Sequence, residues 1–537
     1  MATASRQKIL PELVFGVVGP MGVNVEAICE TLATALRAVG YEPHTVHLTK
    51  EMLREERYEL QRYPVPVPSD KNFYTEVNFK INYANALCKE FSDFSTMARI
   101  ALRAIGDERE RISGDRNKIA DRAIAYVVRQ LKRPDEAMLL RRVYGKQFVL
   151  ISAYGSAEER QRLLEERLQR SLPPATPAYE ISCKALELIE KDAREDDEEF
   201  GQNVRETFHL ADVFIDGLSR PEMEEKITRF IQAFFGRTDI APSKAEYGMY
   251  AAKSASLRSS DLSRQVGAAI FTDDGELITQ GCNEVPKAHG GTYWDLEQPD
   301  FRDVRLGYDP NDLVKTELLR ELFDKMSEAG LLSAKAMSVG NPAEMVEEFT
   351  RKKAPGTEGK DGPLARCAVL DLTEFGRVVH AEMCAICDAA RLGRSVKDSN
   401  LFVTTFPCHN CTKHILAAGI KCVVYMEPYP KSRAKELHKN EIEIEKITAG
   451  KVSFLPFLGI SPLRYRDIFQ KGRRKSRSGA AVHYLNQPPS PMLELASTAY
   501  LENENLEWFE LFGSLQPQSE EGTSAANTAQ APAPQSE

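Results

Sequence analysis

The residues best suited to chemistry in this chain are one histidine and two cysteines. His380 opens the triplet His-Ala-Glu that ends at Glu382, and Pro407, 25 residues after Glu382, opens the run Pro-Cys-His-Asn-Cys that carries Cys408 and Cys411. Imidazole and thiolate groups suit Zn²⁺, which prefers four tetrahedral ligands in proteins. Three protein ligands leave the fourth position open to water, which is typical of a catalytic zinc site. The spacing therefore predicts one catalytic Zn²⁺ per chain.

Glu382 lies two residues beyond His380, and this offset places a carboxylate beside the ion without making it a ligand. Bound zinc lowers the pKa of water to about 7, which provides hydroxide at neutral pH. The carboxylate can take up the released proton, pass it to N3 of a base and later protonate the leaving amine. The order of residues fits the H-x-E…P-C-x-x-C signature of zinc nucleobase deaminases, in which Glu382 is the catalytic proton shuttle.

The alternative is a closed structural zinc knuckle, which would need a fourth ligand. Cys384 and Cys387 form a second C-x-x-C pair, and His409 and His414 are also near in sequence. Cys384 and Cys387 stand within an apolar helical pattern, and buried helical cysteine is common. We therefore expect these two cysteines to pack in the core rather than to bind metal.

Alternating helices and strands must position the three ligands. The pattern predicts a helix over Ala381–Leu392, a strand over Leu401–Thr405, a helix over Asn410–Ala418 and a strand over Lys421–Met426. Each part of the metal motif then stands at a helix start, where the helix dipole favours thiolates. The last predicted strand is Val452–Pro456.

The segment 244–470 resembles the deoxycytidylate deaminase family, a branch of the cytidine deaminase-like fold. Residues 255–270 are similar to the family's opening helix and strand, with the sequence ASLRSSDLSRQVGAAI. Residues 281–283, Gly-Cys-Asn, occupy the place of the family's G-Y-N, and Glu284 stands where a glycine is usual. Residues 452–469 resemble the closing region of many cytidine deaminases. The resemblance implies an α/β/α domain with a mixed sheet.

The same resemblance implies a set of substrate-binding residues. Asn283 would bind the deoxyribose, Arg258 and Arg264 are phosphate candidates, and Tyr429 would line the base or phosphate pocket. The alternative for each arginine is a solvated charge on a helix face. The alternative for Asn283 is a turn residue after a strand.

The beginning of the chain predicts a second nucleotide site. An apolar strand over Leu13–Val18 precedes a glycine-rich turn, and a helix is predicted over Val25–Val39. Residues 13–40 resemble the start of a P-loop kinase, although Gly22 is followed by neither Lys nor Ser/Thr, which phosphoryl transfer requires. Residues 147–170 and 209–216 resemble later strands of nucleoside-monophosphate and dephospho-CoA kinases. The turn at the helix start could still hold a phosphate, and its predicted nucleotide-binding residues are Gly19, Pro20, Met21, Gly22, Val23 and Asn24. The alternative is a purely structural domain.

Bulk properties limit the classes of function. A chain of 537 residues is too long to fold around a single hydrophobic core, so two or more domains are expected. The net charge of -9 argues against broad binding to a polyanion. The N-terminus has no apolar signal region, and no apolar run approaches the roughly 20 residues of a membrane helix. We therefore expect a cytoplasmic protein without membrane association, in which the ten cysteines are free thiols or metal ligands.

The predicted fold class is α/β with two domains. Residues 1–240 are expected to form a degenerate P-loop kinase-like domain around a parallel sheet, and residues 241–475 the deaminase domain with its mixed sheet. Residues 295–375 are predicted to be an insertion in the second domain. A C-terminal extension covers 476–514, and the polar tail 515–537 is expected to be disordered.

A basic segment follows the last predicted strand. It could bind a triphosphate, an RNA or a neighbouring subunit, or it could be a solvated loop. Residues 461–480 hold seven basic residues against the single acidic Asp467: Arg464, Arg466, Lys471, Arg473, Arg474, Lys475 and Arg477.

A kinase-like region before a deoxycytidylate deaminase domain resembles the bacterial anti-phage dCTP deaminases over nearly the whole chain. The resemblance implies hydrolysis of dCTP to dUTP, and of dCMP to dUMP in some members, which depletes a precursor of phage replication. It also implies a homo-oligomer, a nucleotide effector (dTTP, ATP or dCTP) and, in some systems, a small inhibitory RNA. The alternatives are a polynucleotide-editing cytidine or adenosine deaminase and a nucleotide-sensing regulator that acts through its first domain.

Overall fold

A computed structural model describes residues 10–54, 58, 60–195, 198–353, 359–482, 490–493 and 498–512. The predicted disordered tail, 515–537, lies outside the described residues, as does part of the predicted extension 476–514. Among the described helices, none combines the length and the apolar character needed to cross a bilayer.

Within the described residues, twelve strands form two six-stranded sheets. In chain order they are β1 (Leu13–Val18), β2 (Glu42–His47), β3 (Ile124–Arg129), β4 (Phe148–Tyr154), β5 (Val213–Asp216), β6 (Gly267–Phe271), β7 (Leu277–Cys282), β8 (Asn400–Thr405), β9 (Cys422–Glu427), β10 (Ile442–Ile444), β11 (Val452–Pro456) and β12 (Gly459–Ile460).

The described α-helices cover both sheets. In chain order they are α1 (Val25–Ala38), α2 (Leu48–Glu51), α3 (Phe73–Phe91), α4 (Thr96–Ser113), α5 (Pro134–Tyr144), α6 (Ala157–Ser171), α7 (Ala178–Ala193), α8 (Val204–Phe208), α9 (Arg220–Phe234), α10 (Lys244–Ser256), α11 (Asp303–Leu306), α12 (Pro310–Glu328), α13 (Ala334–Met337), α14 (Pro342–Thr350), α15 (Ala381–Arg391), α16 (His409–Ala417), α17 (Ala434–Leu437), α18 (Tyr465–Phe469) and α19 (Tyr500–Phe512).

The first sheet has the strand order β12-β5-β4-β1-β3-β2, and all of its pairings are parallel except that of β12 with β5. Every residue of β1 is buried, as expected where helices cover both faces of a parallel sheet. Phe15 packs with α1 and α9 on one face, whereas Val14 packs with α4 and α5 on the other. The α/β class predicted for this region is confirmed.

The second sheet has the order β10-β11-β9-β8-β6-β7. Strands β7, β6 and β8 pair antiparallel, and β8, β9, β11 and β10 pair parallel, so the sheet is mixed as predicted. Helix α10 covers the face that joins the core of the first sheet, and α15 covers the opposite face. This α/β/α arrangement brings the starts of α15 and α16 to one edge of the domain.

Strand β12 connects the two halves of the molecule. After β11 the chain leaves the second sheet, and Gly459 and Ile460 pair with Phe214 and Val213 of β5. Helix α19 then packs against α4 and α5. The sequence analysis predicted β11 as the last strand. Strand β12 could not be predicted, because it has only two residues and forms through pairing with β5 rather than through a local sequence pattern. The predicted domain boundaries remain predictions.

The described part of the predicted insertion includes four α-helices, α11 to α14. It has a small hydrophobic cluster of its own around Leu319, Phe323, Met345 and Val346. An ion pair joins Lys353 in this segment to Glu199 in the loop before α8. The insertion is therefore a separately packed unit that also touches the first half of the chain.

Candidate metal centre and cavity

Two helix starts converge to form the metal centre. His380 is the N-cap residue of α15, and Cys408 is the N-cap residue of α16. The backbone N–H of Cys411 donates to Sγ of Cys408 at 3.4 Å, which fixes the turn between the two thiols. Gly281 of β7 lets α15 approach the sheet, because a Cβ atom there would lie 2.5 Å from the carbonyl oxygen of Ala381.

The separations of the donor atoms fit one tetrahedral zinc ion. Nδ1 of His380 lies 3.4 Å from Sγ of Cys408 and 3.3 Å from Sγ of Cys411. Tetrahedral bonds of roughly 2.3 Å to sulfur and 2.0 Å to nitrogen would separate such donors by about 3.5 Å. In the described part of the chain, these are the only His, Cys, Asp and Glu donors grouped at such spacing. Cys384 and Cys387 are outside the group, as predicted. Cys384 is buried as expected, but Cys387 is exposed, so the prediction that it packs in the core is wrong; it lies on the outward face of α15.

Hydrogen bonds within the metal-free group shift the pKa values of the two thiols in opposite directions, lowering that of Cys408 and raising that of Cys411. The hydrogen bond from Cys411 and that from His380 lower the pKa of Cys408 to about 4 against the effect of burial. The hydrogen bond with Cys408 raises the pKa of His380 to about 9. The lowered pKa favours the thiolate form of Cys408, which is the form of cysteine that binds zinc.

Glu382 stands in the first turn of α15 with only 4 % of its surface exposed. Burial raises the pKa of its carboxyl group. The side chain lines the cavity beside His380 and is not a member of the metal group.

A cavity of about 440 Å³ opens in front of the metal group. Its lining comes from the loop after α10, the starts of α15 and α16, the loop after β9 and the insertion. The lining includes Asp261, Arg264, Asn283, His380, Glu382, Thr405, Phe406, Cys408, His409, Tyr429 and Lys431, and from the insertion Asp303, Asp309, Asn311, Asp312, Lys315, Leu370, Asp371, Leu372 and Thr373.

Asn283 lines this cavity, but its amide group already holds the loop that precedes β6. Its Oδ1 accepts from the N–H of Val266 at 2.7 Å. Its Nδ2 donates to Oδ2 of Asp261 at 2.6 Å and to the carbonyl of Arg264 at 2.7 Å. Sugar binding by Asn283 remains a prediction. The observed contacts show that it shapes the wall that carries Arg264.

The two predicted phosphate arginines are placed differently. Arg264 lines the cavity, with its guanidinium 5.3 Å from the ring centre of Tyr429. Arg258 stacks 3.9 Å from the ring centre of Trp294 and hydrogen bonds to Thr292. It is not among the residues that line the cavity, so the structure brings Arg264 and Tyr429 to the metal but not Arg258.

The departure from the family at Glu284 has a local explanation. This side chain is buried, and its carboxylate accepts from the N–H and hydroxyl of Ser260 at 2.9 and 2.7 Å. A glycine could not make these bonds. Glu284 therefore fixes the start of the same loop that Asn283 holds at its other end.

The turn predicted to bind a nucleotide, Gly19 to Asn24, is filled by the chain's own groups. The N–H of Met21 donates to Oδ2 of the buried Asp192 at 2.6 Å. Nζ of Lys132 donates to the other oxygen of Asp192 at 2.7 Å and to the carbonyl of Gly19 at 2.9 Å. A Cβ on Gly22, whose φ is +103°, would lie 2.7 Å from Cβ of Arg160. The carboxylate of Asp192 thus accepts a hydrogen bond from a backbone N–H of the turn that would otherwise be available to a phosphate.

Sequence reasoning missed the contribution of the insertion to the cavity wall. No local pattern marks Lys315 or Asp371 as neighbours of His380, because their approach depends on how the insertion folds back. The basic segment 461–480 lies elsewhere: Arg464 is buried against Asp212 of the first half, and no residue of the segment lines the cavity.

Comparisons with known proteins agree with this site. The sequence profile described as the cytidine and deoxycytidylate deaminase zinc-binding region matches residues 242–427. With the three-donor group, this match confirms the predicted zinc cofactor.

Curated relatives match over a short segment. The deoxycytidylate deaminase of Enterobacteria phage T2 is 46% identical over 55 residues, which are 10% of this chain and 29% of the relative. The human deoxycytidylate deaminase is 41% identical over 54 residues, again 10% and 29%. The matched segments thus span less than a third of either relative. The dCMP deaminase of cyanophage S-TIM5, solved in complex with dCMP and dUMP, aligns with 18% identity and a TM-score of 0.22 over 40% of this chain and 98% of that chain.

Proposed function

We propose that this protein deaminates free deoxycytidine nucleotides by hydrolysis, converting dCTP to dUTP and acting also on dCMP. The premise is that residues 242–427 form a zinc-binding region of the cytidine and deoxycytidylate deaminase type. One observation carries the proposal most directly. His380, Cys408 and Cys411 form a three-donor metal group, and Glu382 lines the cavity in front of it.

The chain's own residues suffice for the proton transfers of this reaction. Zinc held by three ligands supplies an acidic water at neutral pH. Glu382 takes a proton from the attacking water, passes it to N3 of cytosine, and delivers a proton to the amino group as the C4–N bond breaks. A C4–O bond replaces it, so the products are a uracil nucleotide and ammonia. The burial of Glu382 keeps bulk water from intercepting the proton between these transfers.

A free nucleotide is supported over a polynucleotide by two features. The insertion adds Asp309, Lys315 and Leu372 to the lining of the cavity, which leaves less room for a strand that continues in both directions. The net charge of -9 also disfavours a polyanion.

We place this activity in phage defence, where loss of dCTP would deprive a replicating phage of a precursor. The support is the chain-long resemblance to bacterial anti-phage dCTP deaminases. The same proposal includes a homo-oligomer, a nucleotide effector (dTTP, ATP or dCTP) and a small inhibitory RNA, in the cytoplasm where the free nucleotide pool lies.

For residues 1–240 we favour a scaffold over a nucleotide sensor. Asp192 and Lys132 satisfy each other at the Gly19–Asn24 turn, so a phosphate would have to displace a buried ion pair. Residues 241–475, with the insertion 295–375, would then carry the chemistry on their own.

The test is a panel of dCTP, dCMP, deoxycytidine and a cytosine-containing single-stranded oligonucleotide, with ammonia release measured for the zinc-loaded protein. We expect ammonia from dCTP, with dTTP and ATP tested as effectors. Preference for the oligonucleotide would instead support a polynucleotide deaminase. In a phage challenge, we expect Glu382→Ala to abolish protection; protection by this variant would point to a regulator that acts without deamination.

A further inference from the structure

Three lysine and arginine side chains line the cavity, together with six carboxylates. The three cations are Arg264 from the loop before β6, Lys431 from the loop after β9, and Lys315 from helix α12 of the insertion. We refer to these three residues as the cationic rim. Arg264 and Lys315 lie within residues 242–427, which the sequence profile matches, and Lys431 follows them. Lys315 belongs to the insertion.

Observed contacts connect the three cations in one order. The carbonyl of Arg264 accepts from the buried Asn283, and its guanidinium lies over the ring of Tyr429, two residues before Lys431. Lys431 forms an ion pair with Asp371 of the insertion. The rim therefore starts beside Asn283 and reaches the insertion at Asp371.

Lys315 continues this line. Its Nζ donates to the carbonyl of Leu370, the neighbour of Asp371, at 2.9 Å. The contacts therefore run along the cavity lining from Asn283 through Arg264, Tyr429 and Lys431 to Lys315.

The carboxylate paired with Lys315 is exposed to solvent. Lys315 is 12 % exposed, whereas Asp312, its ion-pair partner, is 71 % exposed. Ion pairs with exposed carboxylates contribute little to stability. A phosphate group offers stronger charge-assisted hydrogen bonds to the same nitrogen.

We propose that Lys315 binds the terminal phosphates of the substrate and sets a preference for a deoxynucleoside triphosphate over a monophosphate. This inference rests on the proposed function. Arg264 serves the phosphate nearest the sugar, and Lys431 stands between the two. The insertion is then a specificity element of the deaminase site.

The test compares kcat/KM for dCTP, dCMP and deoxycytidine in the wild type and in Lys315→Met. We expect a loss of about tenfold to a hundredfold for dCTP, as for removal of a hydrogen bond between charged groups. The values for dCMP and deoxycytidine should stay within about twofold. Lys315→Arg, which keeps the charge, should restore most of the preference.

Lys325→Met is the matched control, because Lys325 lies on the same helix in a similar ion pair with Glu328 and does not line the cavity. Equal losses for dCTP and dCMP, or no loss at all, would overturn the role of Lys315. Calorimetric binding of dCTP and dCMP to the Glu382→Gln and Glu382→Gln/Lys315→Met proteins tests the inference apart from turnover. If the wild type deaminates neither nucleotide, the proposed function is wrong. If Glu382→Gln and Glu382→Gln/Lys315→Met bind dCTP equally well, the inference about Lys315 is wrong, whatever the outcome for the proposed function.

Discussion

At the scale of single residues, the metal group rests on two N-cap positions. His380 and Cys408 each end a loop and begin a helix, so their side chains are fixed by backbone geometry rather than by long packing contacts. This is why the ligand set could be predicted from spacing alone. The role of Asn283 could not, because its hydrogen bonds to Asp261 and Val266 depend on the fold of a loop.

We expect Cys411→Ala to lose bound zinc and deaminase activity together, because two remaining donors hold the ion weakly. The measurement is metal content by atomic absorption after dialysis. Cys387→Ser is the control, since Cys387 is an exposed cysteine about two turns beyond His380 on α15 and outside the donor group. Zinc retained at one ion per chain in Cys411→Ala would show that another residue completes the site.

At the scale of elements, one carboxylate joins α9, α10 and β12. Glu246 in the first turn of α10 is buried and accepts from Arg229 at 2.7 and 2.8 Å. It also accepts from the N–H of Ile460 at 2.9 Å and of Ser243 at 2.7 Å. These bonds hold the second sheet's helix against the strand that enters the first sheet.

Glu246→Gln should lower the stability of the protein by about 2 to 4 kcal/mol at pH 7, because Arg229 loses its charged partner. Burial alone would raise the pKa of Glu246, but the bonds from Arg229 and two backbone N–H groups outweigh it, and the pKa lies below its usual 4.5. A lowered folded-state pKa stabilises the fold above pH 4.5 and ceases to do so as the pH falls through the lowered pKa.

The melting temperatures of wild type and Glu246→Gln should therefore differ clearly at pH 7 and converge at acidic pH. Glu224→Gln serves as the control, because Glu224 pairs with Arg220 on the exposed face of α9. A difference in melting temperature that increases at acidic pH would contradict a lowered pKa for Glu246.

The Gly19–Asn24 turn gives a second prediction at the scale of elements. The protein should form no ADP from ATP, since the turn lacks the Lys and Ser/Thr of a phosphoryl-transfer loop and Asp192 occupies it. A coupled ADP assay on the full chain measures this. ATP hydrolysis that persists in Glu382→Gln and disappears in Lys132→Met would argue for a working nucleotide site in the first region.

At the scale of the whole molecule, the chain returns twice to its first half. Strand β12 extends the first sheet, and helix α19 docks on α4 and α5. Buried Arg109 donates to Glu504 of α19 at 2.7 Å and to Glu12 at 2.9 Å. These contacts make the C-terminal part of the chain a structural component of the first region.

The α/β class and the mixed second sheet followed from alternating apolar runs such as β1 and β8. The long helices α3, α4 and α19 received no prediction. Their positions depend on contacts far apart in sequence, such as Arg109 with Glu504, for which neither periodicity nor a motif exists. The position of Lys315 in the cavity lining could not be predicted for the same reason.

The most direct test of the account compares dCTP and dCMP deamination by zinc-loaded wild type and Glu382→Gln. We expect the wild type to release ammonia and the uracil nucleotide in equal amounts. The variant should keep its zinc and lose activity by roughly 10² to 10⁴-fold, the usual effect of a general acid–base group. A wild type inactive on both nucleotides, or a Glu382→Gln protein as active as the wild type, would contradict the account.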